Sequence, residues 1–100
     1  NKGIAIKSDW GTDVHAVAPG RVEYSDNFLG YGKIILIDHG GNFISLYGHL
    51  STITVENGDY VKERTVIGKV GQTGSAKEPL LHFEIRKSGK SVNPMNYMNL

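Results

Sequence analysis

Seven glycine-bearing turn signals punctuate this chain at short spacing: Asp9-Trp10-Gly11, Pro19-Gly20, Leu29-Gly30-Tyr31-Gly32, Gly40-Gly41-Asn42, Asn57-Gly58-Asp59, Gly71-Gln72-Thr73-Gly74 and Lys87-Ser88-Gly89-Lys90. Between them Val, Ile and Thr supply 22 residues against 4 Ala. β-Branched side chains suit a pleated surface and lose rotamer freedom in a helix, so this rhythm predicts short antiparallel strands closed into a sandwich or open barrel. At 100 residues the chain is one domain able to bury roughly 60–65% of its unfolded surface. A hydrophobic share of 39% excludes disorder. A net charge of +1 without a basic run excludes bulk nucleic-acid binding. The longest apolar run, Ile34-Ile35-Leu36-Ile37, falls far short of the roughly 18 residues a membrane helix needs, so no membrane segment is expected. Cys is absent, so neither disulfides nor a Cys-based metal site hold the fold. The chain opens at Asn1 without an initiator Met or apolar leader, which reads as an excised domain with any signal or anchor before it.

Strands are predicted near 3–6, 13–18, 21–25, 33–39, 42–49, 66–70 and 80–86, and the Pro94–Met98 tail has room for one helical turn. The period of 2 places Phe43, Ser45, Tyr47 and His49 on one face of their strand and Ile44 and Leu46 on the other. It likewise places Leu81, Phe83 and Ile85 toward a core, with Leu80, His82, Glu84 and Arg86 on an opposite, polar face.

Four histidines, His15, His39, His49 and His82, are the natural place to seek a metal or an acid–base pair. No His-Glu-x-x-His occurs, and Asp13-x-His15 and His82-x-Glu84 are short pairs that chance produces readily. Gly-x-Ser-x-Gly never occurs, so Ser45 and Ser75 lack a nucleophile elbow. Gly30-x-Gly32 and Gly71-x-x-Gly74 lack the Lys of a phosphate loop and read as turns.

The ordered blocks Asn1-Lys2-Gly3-Ile4-Ala5-Ile6, Gly11-Thr12, Ala16-Val17-Ala18-Pro19-Gly20-Arg21-Val22, Gly30-Tyr31-Gly32, Ile37-Asp38-His39-Gly40, Leu46-Tyr47-Gly48-His49-Leu50, Val61, Ile67-Gly68-Lys69-Val70-Gly71, Leu81-His82-Phe83-Glu84-Ile85-Arg86 and Val92-Asn93-Pro94 resemble the LytM (lysostaphin-type) zinc endopeptidase domain. The resemblance covers residues 1–100 and implies an all-β, single-domain antiparallel sandwich or open barrel of the duplicated-hybrid-motif type. Active members carry His-x-x-x-Asp in the first block and His-x-His in the last, with a further catalytic His in the Tyr-x-His-Leu block. Here Asn1 and Ala5 stand for the first zinc His and the zinc Asp, and Leu80 stands for the catalytic His; His82 and His49 are retained. An amide, a methyl and an isobutyl group cannot hold zinc, so the resemblance implies no catalytic residues, no metal and no cofactor.

Such degenerate domains are similar to the NlpD and EnvC type of LytM factor, which activate periplasmic zinc amidases in cell separation. Asn1–Ile4 and Gly89–Pro94 lie nearer the NlpD type. The resemblance therefore implies a partner-binding groove of Lys2, Ala5, Tyr31, Tyr47, His49, His82 and Arg86, docking a periplasmic zinc amidase, with peptidoglycan as a second ligand. It implies a periplasmic or cell-envelope address, with an outer-membrane lipoprotein as the form of the full-length protein. Tyr31 is expected as an exposed aromatic beside the groove, Arg86 as an anchor for an acidic partner, and Lys2 as a rim residue; His39 is expected to be structural and His15 solvated. Two other readings are a wall-binding module without amidase contact and an active endopeptidase using substitute ligands such as Asp13 or His15. The segments 55–61 and 67–71 also resemble half of a biotinyl or lipoyl carrier, but neither Met95 nor Met98 neighbours a Lys.

Overall fold

The computed structural model describes residues 3–94, so Asn1, Lys2, Met95 and Met98 lie outside the described residues. In chain order the strands are β1 (Ile4–Lys7), β2 (Asp13–His15), β3 (Gly20–Asn27), β4 (Lys33–Gly40), β5 (Phe43–Ile53), β6 (Tyr60–Val61), β7 (Val66–Val70), β8 (Leu80–Lys87) and β9 (Lys90–Val92), with one 3-10 turn at Leu29–Tyr31. Every strand pairing is antiparallel.

β5 is the spine. One edge pairs with β4, while the other pairs with β8 through Phe43–Gly48 and then with β7 through Leu50–Ile53. The sheet therefore splits into two branches, one ending in β1 and the other in β2. The split falls at a bulge: Ile35 faces Tyr47 but Lys33 faces Leu50, so β5 carries one extra residue around Gly48-His49. His49 takes φ +62 there, in the left-handed region. Side chains from both branches meet in one core, with Ile35, Ile37, Leu50 and Ile67 fully buried and Val70, Phe83 and Val14 nearly so. Burying each such side chain stabilises the fold by about 1.5–3 kcal/mol, the main cohesion open to a chain without Cys. β4 is buried on both faces, as its Ile34–Ile37 run implies: Ile35 and Ile37 face the core, while Ile34 and Leu36 lie under Tyr24, Phe28 and Tyr31.

Four readings are corrected. The strand expected over 13–18 stops at His15, because the Ala16 N–H turns to Thr65 O (2.9 Å) and Ala16 O accepts Arg64 N–H (2.8 Å). The strand expected over 42–49 runs on to Ile53, and β6 and β9 are strands that the sequence reading did not place, β6 just after the Asn57–Asp59 turn and β9 beginning at the last residue of the Lys87–Lys90 turn. Tyr47 is no groove residue. It is 1% exposed, its ring packs on Phe83 with centroids 5.4 Å apart, and burial pushes its phenol pKa up. Its hydroxyl ends a chain through the core: His39 Nδ1 lies 2.8 Å from Pro19 O, His39 Nε2 2.7 Å from Ser45 Oγ, Ser45 Oγ 2.8 Å from Tyr47 Oη, and the Val17 N–H donates to Tyr47 Oη at 3.1 Å. His39 thereby fastens the 17–19 segment to β4 and β5. Finally, His49 does not share a face with Tyr47, because the bulge turns it to the other side of the sheet.

Candidate functional site

The polar face of β8 assembles as its period of 2 requires. Facing pairs in an antiparallel ladder point the same way, and Ala5 pairs with His82, so the Ala5 methyl stands beside the imidazole and is exposed. Gly48 pairs with His82 on the other side; a Cβ there would lie 3.4 Å from the His82 Cβ and 3.6 Å from the Tyr31 ring, leaving room for both rings. The Tyr31 and His82 rings approach to 5.3 Å, the His49 and His82 rings to 6.0 Å.

At the centre lies Glu84, which sequence reasoning had placed on this face without a role. Its side chain is fully buried. Glu84 Oε2 accepts from His82 Nε2 at 2.6 Å and from the Tyr31 hydroxyl at 3.0 Å, and Oε1 accepts from Arg86 Nε at 3.2 Å. Burial works to raise the Glu84 pKa, but hydrogen bonds from His82, Tyr31 and Arg86, with the Arg86 charge, hold it below the ordinary Glu range. The group is a carboxylate at neutral pH. Tyr31 shows the converse: burial and then the hydrogen bond to Glu84 push its phenol up. The Arg86 cation compensates the buried charge, and Tyr31, 53 residues away in sequence, adds a hydrogen bond to the same oxygen as His82.

Tyr31 is half-buried rather than freely exposed. Its ring stacks on Phe28, and Phe28 meets Tyr24 edge-on, each with centroids 6.3 Å apart. These aromatics and Arg86 wall an apolar cleft of about 180 Å³ over Ile34, Leu36 and Leu46. Arg86 is half-buried, with a side-chain exposure of 37%.

A second unread residue is Thr73. Its hydroxyl accepts the Lys33 N–H (3.1 Å) and donates to Leu50 O (2.7 Å), filling the gap that the bulge opens between β4 and β5. Its carbonyl accepts from His49 Nδ1 at 2.7 Å. The Tyr31 turn is docked on the same loop: Ser75 N–H donates to Gly30 O at 2.8 Å, and Gly74, at φ +71, lies so close to Gly30 that any Cβ would strike its carbonyl. Thr73 thus anchors both His49 and the turn that carries Tyr31. The sequence shows only Thr in a glycine turn, with no sign of where its three bonds go.

Ala5, Tyr31, His49, His82 and Arg86 are therefore brought together, with Leu80 on the same β8 face. Asn1 and Lys2 lie outside the described residues. The donor set does not fit a zinc site: among the described residues no three His, Asp or Glu side chains are placed to hold a metal ion, a methyl faces His82, and His82 Nε2 is already committed to Glu84. Asp13 and His15, the substitute ligands considered above, stand on β2, at the end of the other branch.

Comparison with known proteins locates the chain. Residues 1–94 match the sequence profile described as Peptidase family M23. The protein named murein hydrolase activator NlpD of Escherichia coli (strain K12) is 44% identical over 99 residues, covering 98% of this chain and 26% of that protein. Murein hydrolase activator EnvC of the same organism is 39% identical over 97 residues, covering 97% of this chain and 23% of the other. The chain thus spans about a quarter of the length of these curated relatives. A crystal structure described as a putative peptidase M23 from Pseudomonas aeruginosa superposes with a TM-score of 0.93 at 35% identity, covering 96% of this chain and 42% of that one. Sequence blocks, sheet topology and profile agree: the chain belongs to peptidase family M23.

Proposed function

We propose that this chain is a non-catalytic regulator that activates a periplasmic N-acetylmuramoyl-L-alanine amidase, a zinc enzyme of peptidoglycan, by docking through the metal-free groove of Ala5, Tyr31, His49, His82 and Arg86. The observation that carries this reading is the Ala5 methyl facing His82 where a metal ligand would have to stand. A catalytic zinc takes three protein ligands and acidifies a bound water; with Ala5 and Leu80 apolar, hydrolysis has no nucleophile. Two relatives of which the chain covers about a quarter bear the name murein hydrolase activator, which supports the same role and a cell-envelope address.

The groove is suited to binding. Its buried carboxylate is neutralised from within by Arg86, and its walls are Tyr and Arg, the side chains that most often dominate interface energetics. Activation follows if the groove binds an amidase conformation whose own zinc site is uncovered more tightly than the covered one. Moving that equilibrium from 1:99 to 99:1 needs a preference of about 10⁴-fold.

The test is dye release from labelled peptidoglycan. The chain alone should release nothing, and with an amidase of its own cell it should accelerate release. Release by the chain alone, lost on His82→Ala, would overturn the reading, as would close to one zinc per chain by metal analysis. Retention on peptidoglycan without stimulation of any amidase would select a wall-binding module instead.

A further inference from the structure

Two rings approach His82 in the groove, Tyr31 with centroids 5.3 Å apart and His49 with centroids 6.0 Å apart. They come from different parts of the chain, Tyr31 from the turn at 29–31 and His49 from the bulge in β5, yet both hang from one loop. His49 Nδ1 lies 2.7 Å from Thr73 O; a carbonyl can only accept, so this bond places the proton of the neutral ring on Nδ1. The next two residues hold the Tyr31 turn. Ser75 N–H donates to Gly30 O at 2.8 Å, and a Cβ at Gly74 would come within 2.3 Å of Gly30 O and 2.4 Å of Gly32 N. From the other side, a Cβ at Gly32 would come within 2.4 Å of Thr73 Oγ1.

The loop itself is pinned by one hydroxyl. Thr73 Oγ1 accepts the Lys33 N–H at 3.1 Å and donates to Leu50 O at 2.7 Å, bridging β4 and β5 where the bulge parts them. Lys33 directly follows the Tyr31 turn and Leu50 directly follows His49. The same hydroxyl therefore fixes the spacing of the two backbones that carry the rings. His49 sits there at φ +62, a left-handed conformation that few residues other than glycine adopt and that persists only where the surroundings over-determine it.

We propose that Thr73 is the positioning residue of the docking groove: its hydroxyl holds the Tyr31 and His49 rings against His82 before any partner arrives, so the amidase meets a groove already in its binding shape. Side chains ordered only on contact cost affinity, and a groove ordered in advance avoids that cost. Thr73 acts through Tyr31 and His49, not by touching the partner. The proposal rests on the activator reading for the partner; the placement of the rings is independent of it.

The test compares Thr73→Val, which keeps the shape of the side chain and removes both hydroxyl bonds, with Thr73→Ser, which keeps the hydroxyl. In the free wild-type chain and in Thr73→Ser, proton cross-relaxation should connect the Tyr31 and His82 rings, and ¹H–¹⁵N spectra should show His49 protonated on Nδ1. Thr73→Val should lose at least about half of the ring–ring intensity and raise the Kd for the amidase at least about 10-fold, while Thr73→Ser stays within about 3-fold of wild type. Tyr47→Phe is the control for stability alone, since it also removes a buried hydroxyl bonded at two places, on the core side of β5, and should bind as wild type does. Equal weakening in Tyr47→Phe and Thr73→Val would make Thr73 merely structural and overturn the proposal. Unchanged ring contacts in Thr73→Val, or wild-type binding by it, would do the same. Should Thr73→Val fail to fold, amide exchange in the wild-type chain decides: the Lys33 and Ser75 N–H should exchange at least about 100-fold more slowly than free peptide amides, and exchange at the free rate overturns an ordered loop. If the wild-type chain binds no amidase, the activator reading fails, while the ring contacts in the free chain still decide whether Thr73 sets the groove.

Discussion

Two histidine networks lie on opposite sides of β5, and their difference separates holding the fold from meeting a partner. On the core side both nitrogens of His39 are spent, one on Pro19 O and one on Ser45 Oγ, in a chain that ends at Tyr47 and Val17. On the groove side His49 spends one nitrogen on Thr73 O and His82 one on Glu84 Oε2, and no further side-chain partner of either ring is found among the described residues. The residue type is shared, on neighbouring strands: His39 on β4, His49 on β5 and His82 on β8. What differs is the bonding and not the burial: His39 is half-buried with both ring nitrogens bonded inside the fold, whereas His49 is buried with one bond found among the described residues, and a histidine with no valence left can only be structural.

Glu84→Ala should give the largest effect, because it strips the one buried acceptor from His82, Tyr31 and Arg86. A loss of about 3 kcal/mol in denaturant unfolding is expected, at the low end for buried charge networks because Arg86 keeps some solvent contact. A loss below 1 kcal/mol would mean the groove network binds partners without supporting the fold. Tyr31→Ala should weaken amidase docking by about 2 kcal/mol, roughly 30-fold, for loss of an aromatic anchor. Arg86→Gln asks the same of the cation while keeping an N–H donor; Arg86→Glu is a poorer test, because it sets a second carboxylate against buried Glu84. Unchanged docking in both Tyr31→Ala and Arg86→Gln would place the contact elsewhere.

Tyr47→Phe should cost about 1–2 kcal/mol of stability by leaving Ser45 and the Val17 N–H without their partner, yet leave docking untouched. If docking falls as well, the two sides of β5 are coupled and the contrast between them breaks. Acid should act through the groove. A carboxylate with a depressed folded pKa contributes stability that is present above its unfolded value, about 4.3, and lost as pH falls through the lower folded value. Unfolding free energy should therefore drop on acidification below about pH 4.3, and Glu84→Gln should flatten part of that slope. Smallest of all, Lys90→Glu on β9, facing Lys87 in the ladder, should relieve a like-charge pair, raise stability by a few tenths of a kcal/mol and leave docking unchanged.

The two halves of the site were unequally legible. His82, Glu84 and Arg86 could be placed on one face from β8 alone, since alternation is a local property of an extended backbone and Phe83 and Ile85 name the buried side. Ala5 was legible as a departure from the sequence blocks of the family. The same rule misled at His49 and Tyr47: it set them on one face, and the extra residue at Gly48-His49 reversed one of them. β9, Lys90–Val92, went unplaced because three residues carry too little periodicity to mark a strand, and its pairing with β8 decides the matter.

By itself, then, the sequence determined the class of fold and the chemistry available: β-branched runs between glycine turns, no thiol, and a methyl and an isobutyl group at the positions matched to the family's zinc Asp and catalytic His. Those are properties of single residues and their near neighbours, and they survive without knowledge of distant contacts. Only the tertiary structure decided what the polar residues do. Glu84 is a hub because Tyr31 closes over it from 53 residues away, and the His49 tautomer is set by a Thr73 carbonyl 24 residues on. Hydrogen bonds of that range depend on how the two branches of the sheet meet at one bulge in β5, and no local pattern in the chain records where that meeting falls.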